Sequence, residues 1–202
     1  MTADLAAYRT AVDALLATAA DASTWTEAIK DQALCQALAE YDEYFVYESS
    51  VTVTSGGAYQ DLSSVDALKD VLAVAYPWSD EADFGTLQQR WRYAADQTIY
   101  VETATPQAGQ AMRVRYTKRH EIEDLDAATA TSVPDGHQLL LATLAAAFAC
   151  TLRCRQLSEN PAIPEHALAA LAGAATHYRT HAADLLRTAR AADNPAWSRM
   201  GL

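Results

Sequence analysis

Two residue pairs in this chain have the spacing of ligands or nucleophiles. His177 and His181 stand four apart, as do Cys150 and Cys154. On a helix, such spacing puts both side chains on one face, where imidazoles can grip a metal ion. No Glu follows His177 as it does in the helix of zinc proteases, so "HYRTH" reads as a partly exposed helix face. The thiols lie in the apolar run "AAAFACTLRC" without the second, tighter pair that a zinc ribbon needs, and read as small buried side chains. Glu121, Glu123 and Asp124 have the chemistry for acid–base work, but nothing in the sequence places them in a cleft. Nucleophile-elbow, phosphate-loop and dinucleotide-binding glycine motifs are absent. We therefore expect no catalytic residue, no metal and no cofactor: not an enzyme.

The other chemistry is charge. "RVRYTKRH", Arg113 to His120, carries five basic side chains in eight residues, and "EIEDLD" then puts four carboxylates in six. The 202-residue chain has a formal charge of −11, divided as 17 acidic and 5 basic residues in 1–104 against 9 and 10 in 105–202. A phosphate-binding surface needs clustered, unopposed positive charge. Here acids adjoin the bases and would repel the same phosphates. A sign reversal is suited instead to a head-to-tail contact, in which one surface of a subunit meets a different surface of its neighbour. The residues expected at such a contact are Arg113, Arg115, Lys118 and Arg119 on the basic side, with Glu121, Glu123, Asp124 and Asp126 opposite. The plainer alternative is a solvated strand face.

The elements that must carry these residues follow from hydrophobic period. Half the residues are hydrophobic and a fifth charged, a globular balance, and one domain over 1–202 accommodates the length. No apolar run approaches a membrane span, and "MTADLAAYRT" lacks the pattern of a signal peptide, so neither is expected. Three cysteines make no disulfide framework and suit a reducing compartment.

Helical spacing predicts helices over about 3–20 and 25–45, the second capped by Asp21, Ser23 or Thr24. Two more, about 135–158 and 164–192, start near Pro134 and Pro164 and stop at Asn160-Pro161 and Asn194-Pro195. Between them lies a β-rich insertion, about 46–122. "FVYESSVTVTS" alternates and ends at Gly56-Gly57, whereas "SSVDALKDVLAVAYPW" suits a helix or a strand and "EADFGTLQQRWRYAAD" a short helix or turn. "QTIYVE" and "AMRVRYT" predict an antiparallel hairpin, with Val101 opposite Met112, Ile99 opposite Val114, and Tyr100 beside Arg113. The fold class is α+β, mainly α: a helical bundle with a small inserted antiparallel sheet, a long last helix and a tail over 193–202.

The middle and end of the chain resemble head–tail connector (adaptor) proteins of long-tailed bacteriophages. The matching stretches are "ALCQALAEYDEYF", "AVAYPW", "LQQRWRYAADQTIYVE" and "AMRVRYTKRHEIEDLDAATATSVPDGHQLLLATLAAAFA", within about residues 25–190. The strand ending Tyr116-Thr117-Lys118-Arg119-His120, followed by Ser132-Val133-Pro134 leading into an Ala-rich helix, carries most of the resemblance. The early segment "VYESSVTVTSGGAYQDL" is longer than that pattern. The resemblance implies a structural virion protein without cofactor, in the virion neck. About twelve copies would form a ring under the portal protein, extend the DNA channel, and dock the next neck or tail-completion protein.

DNA would pass through without specific binding, past an acidic lining for which Asp42, Glu43 and Glu48 are the candidates. The tail, with Trp197, Ser198, Arg199, Met200 and Leu202, is the candidate portal-docking segment. The other function class the sequence leaves open is a nucleic-acid-binding or regulatory helical module.

Overall fold

The computed structural model describes residues 3–16, 24–65, 67–78, 88–102 and 108–193. The chain divides into two compact units. One is helical and joins the two ends of the sequence, 1–44 and 120–202; the other is the inserted segment Phe45–Arg119. The excess of acid is less uneven between these units than between the halves of the sequence. The helical unit holds 17 acidic and 8 basic residues, and the insertion 9 and 7.

In the helical unit, α1 (Leu5–Leu16) is capped by Asp4, whose Oδ1 accepts the Ala7 N–H at 2.8 Å. Leu5, Tyr8 and Val12 form its buried stripe. In α2 (Glu27–Tyr41) the cap is Thr26, downstream of all three candidates named above; its side chain accepts the Ile29 N–H. Ion pairs join the two helices: Arg9 to Asp31 at 2.6 Å and to Glu27 at 2.9 Å, and Lys30 to Asp13 at 2.8 Å. Lys30 is nearly buried, so that pair keeps a charge compensated where water is scarce.

A 3₁₀ turn at Asp135–His137 leads into α3 (Gln138–Ser158). Ten of its residues, from Leu140 to Cys150, are buried on every side, as an apolar helix enclosed by others must be. By length and composition it passes for a membrane span, but most of it is buried inside the unit, touching α1, α2 and α4. Its alanines let those helices approach closely. The long α4 (Glu165–Asp193) presents a narrow seam, with Ala175 and Ala182 buried and Tyr178 half-buried; the Tyr178 hydroxyl donates to the Leu15 carbonyl.

The inserted unit has seven strands among the described residues: β1 (Tyr47–Thr54), β2 (Tyr59–Asp61), β3 (Leu68–Ala75), β4 (Gln88–Gln89), β5 (Trp91–Ala95), β6 (Thr98–Val101) and β7 (Ala111–Lys118). They form a four-stranded sheet in the order β1-β7-β3-β4 and a three-stranded sheet in the order β2-β6-β5. Every pairing is antiparallel. Val71, Val74, Met112, Val114 and Tyr116 from one sheet, Ile99 and Val101 from the other, and Leu62 just after β2 make one core. Gly57, at φ 123°, supplies the left-handed turn after β1. That turn leads from one sheet to the other and does not close a hairpin.

The α+β class, mainly α, with a long last helix, is as the sequence indicates. The hairpin is not. β6 pairs with β2 and β5, and β7 with β1 and β3, so Val101–Met112 and Ile99–Val114 are not strand partners. The inward residues are those expected, but they meet across the core from separate sheets. The long connection from Glu102 to Gln110 does not impose the register that a two-residue turn would. The ambiguous segment before Pro77 is a strand, and the stretch read as a short helix or turn contains β4 and β5.

Candidate subunit-contact surfaces

On β7, alternation sends Met112, Val114 and Tyr116 into the core and Arg113 and Arg115 to the opposite face. Pairing sets Thr52, Arg113 and Ala75 in one row of that face, and Ser50, Arg115 and Ala73 in the next. The two guanidiniums therefore stand on the central strand of a shelf of small side chains. Arg113 Nη2 donates to Ser50 Oγ at 2.8 Å, and its guanidinium lies 4.6 Å from the centre of the Trp78 ring. Arg115 pairs with Glu48 at 2.8 Å; both side chains are about half exposed, so solvent screens the attraction. The expected neighbour of Arg113, Tyr100, lies in the other sheet, where it packs against Tyr59 and under Arg92.

The basic and acidic halves of the run fall in different units, divided between Arg119 and His120. Lys118 is half-buried at the end of β7 and Arg119 is exposed. The acidic segment is a folded loop of the helical unit, pinned by Ile122 and Leu125, which are buried. The Glu121 N–H donates to Ser132 Oγ at 2.8 Å and the Glu123 N–H to Thr131 Oγ1 at 3.0 Å. Glu121 and Glu123 are half-buried, and Asp124 and Asp126 exposed. Asp124, Asp126 and Ala127 all have positive φ, which aspartate tolerates better than alanine. The Cys35 thiol donates to Asp126 at 3.2 Å; burial first, then this carboxylate, push its pKa up to about 11.

The three acidic lining candidates have different fates. Asp42 cannot line a passage. Its side chain is 8% exposed and accepts both the main-chain N–H of His120, at 2.9 Å, and His120 Nδ1, at 2.7 Å. The His120 side chain is 5% exposed and meets Tyr41 edge-on, while Tyr41 also hydrogen-bonds His137. This cluster holds together the two points where the chain leaves and re-enters the helical unit. Sequence reasoning missed it, because no local pattern links Asp42 to a residue 78 positions on. Glu43 is exposed in the helical unit, and Glu48 belongs to the inserted unit, tied to Arg115.

His177 and His181 are exposed on α4. Burial pushes the Cys150 thiol up to about 11, leaving it a poor nucleophile at neutral pH. Cys154 is half-buried against the Leu168 carbonyl. Among the described residues, no group of three or more His, Cys, Asp or Glu side chains is placed to hold a metal ion. The docking candidates Trp197, Ser198, Arg199, Met200 and Leu202 lie outside the described residues. No family model and no curated protein matches the chain.

Proposed function

We propose that this chain is a structural head–tail adaptor, copies of which form a ring beneath a portal protein and carry the DNA channel toward the next neck or tail protein. The observation that carries this reading is architectural. A helical unit built from both ends of the chain is interrupted by a small β unit, the arrangement implied by the resemblance of the Tyr116–His120 and Ser132–Pro134 stretches. The surfaces are compatible with it. Arg113 and Arg115 stand on a sheet face of the inserted unit, and Asp124 and Asp126 are exposed on a loop of the helical unit, so each unit carries one sign of the charge run. These charges are available to a neighbour, the condition for a head-to-tail contact.

The portal protein of the same virion is the partner to test. Light scattering of the mixture should give a complex several times the mass of one adaptor copy per portal ring, and negative-stain images should show an added ring. A portal that elutes alone at micromolar concentrations of both proteins would end the proposal.

A further inference from the structure

A sheet exposes unpaired main-chain groups at its two edges, and proteins usually block them with bulges, charges or covering side chains. In the four-stranded sheet, the β3 edge is blocked. Strand β4 covers Val74 and Ala75, the Tyr93 hydroxyl accepts the Val71 N–H at 2.9 Å, and two register shifts distort the strand. Lys69 and Asp70 add exposed charge there.

The β1 edge has little such protection, its one charge being Glu48. β1 keeps an unbroken register with β7 from Tyr47 to Thr54, contains no Pro, Lys or Arg, and has β7 as its one strand neighbour among the described residues. The Ser55 N–H donates to the Gln110 carbonyl at 2.8 Å, which fixes the phase of the ladder. Ser49, Val51 and Val53 therefore direct their main-chain groups at β7, and Glu48, Ser50, Thr52 and Thr54 direct theirs outward. The core also thins at this edge: Met112 and Val114 are 0% exposed, while their β1 partners Val53 and Val51 are only half-buried.

We propose that this edge is a docking site for β1 of a second copy, paired antiparallel about a two-fold axis through Val51. This inference is independent of the adaptor reading, whose ring contact is head-to-tail. The sequence is self-complementary in that register. Glu48 faces Thr54 and Ser50 faces Thr52 of the second copy, so all four outward residues exchange their N–H and C=O groups. Val51 meets Val51 and Ser49 meets Val53 on the core face, covering the half-buried valines. Glu48, the one charge on the strand, lies opposite a neutral Thr, so no like charges are apposed.

Sedimentation and light scattering of the free chain over a dilution series should show a monomer–dimer equilibrium. Thr52→Pro removes an outward N–H that β7 does not use, so it should weaken dimerisation by about tenfold or more while leaving the circular dichroism unchanged. Ser50→Lys should do the same by charging the edge, and serves if the proline variant fails to fold. Val51→Cys under mild oxidation should give a disulfide joining residue 51 of two copies, since residues facing each other in this register approach closely enough. A chain that stays monomeric throughout, or a dimer that survives Ser50→Lys and a folded Thr52→Pro unchanged, would overturn the proposal.

Discussion

Replacing Asp42 with Ala tests the buried cluster at the base of the insertion. In the native chain one carboxylate oxygen accepts two hydrogen bonds from His120, one main-chain and one from the ring, with both side chains under a tenth exposed. Alanine strands both donors where water reaches them poorly. Each such donor costs about 1–3 kcal/mol. Relief from burying the carboxylate gives some of that back, for a net loss of roughly 3–4 kcal/mol. At about 2–4 °C per kcal/mol for a chain of this size, melting should fall by about 6–16 °C. Asp42→Asn keeps an acceptor oxygen and should lose only about 1–2 kcal/mol.

Urea unfolding followed by far-UV circular dichroism reads mainly the helical unit, which contains the pair. The cycle with His120→Ala isolates the coupling, expected above ~1 kcal/mol. A loss below ~0.5 kcal/mol for Asp42→Ala, or additive single and double changes, would refute the idea that this pair secures the chain's exit and return.

Reversing Arg113 and Arg115 to Glu should leave the monomer folded but reduce assembly on portals. Each exposed pair is worth only ~0.2–1 kcal/mol, but a closed ring repeats the loss at every contact; undiminished assembly would leave these arginines merely solvated. Duplex DNA should bind negligibly at moderate salt, and micromolar binding that falls steeply with added salt would favour the nucleic-acid reading. Alkali should destabilise the fold. Burial raises the Tyr8 hydroxyl from 10 to about 12 and the Cys35 and Cys150 thiols from 9 to about 11, so the native state holds protons that the unfolded chain releases. That stability is intact below pH 9 and lost as pH rises through 11 to 12; urea titrations at stepped pH should show the decline, and Tyr8→Phe should reduce it.

The helices were legible because their signals are local. Leu5, Tyr8 and Val12 repeat at helical period, and Pro134 and Pro164 mark starts that the structure places within a few residues. The inward residues of β6 and β7 were legible for the same reason, since alternation is a property of one strand. Pairing is a property of two. Ile99 and Val114 both look for an apolar neighbour, and a sequence cannot say whether that neighbour lies beside them in one sheet or across a core in another. The segment before Pro77, open to a helix or a strand in the sequence, shows a similar ambiguity, and it is a strand. Leu68, Leu72 and Tyr76 recur every four residues, yet Val71 and Val74 are the side chains most deeply buried, and bulges shift the strand's phase between them.

The candidate surfaces show the same limit in charge. The run from Arg113 to Asp126 is continuous in sequence, and its sign reversal read as one feature. In the fold it crosses the division between units at Arg119, so the reversal marks a change of unit as much as a designed pair of surfaces. Asp42 makes the point more sharply. Counted in the sequence it was one more acid in a −12 half; in the structure it is the acceptor that fixes His120, the first residue of the returning chain. A net-charge argument treats every carboxylate as solvated, and fails first for those that folding takes out of water. Charge balance therefore bears on the partners of Asp124, Asp126, Arg113 and Arg115, which reach solvent or lie close to it. It says nothing of Asp13, Asp31 or Asp42, whose partners are already in the chain.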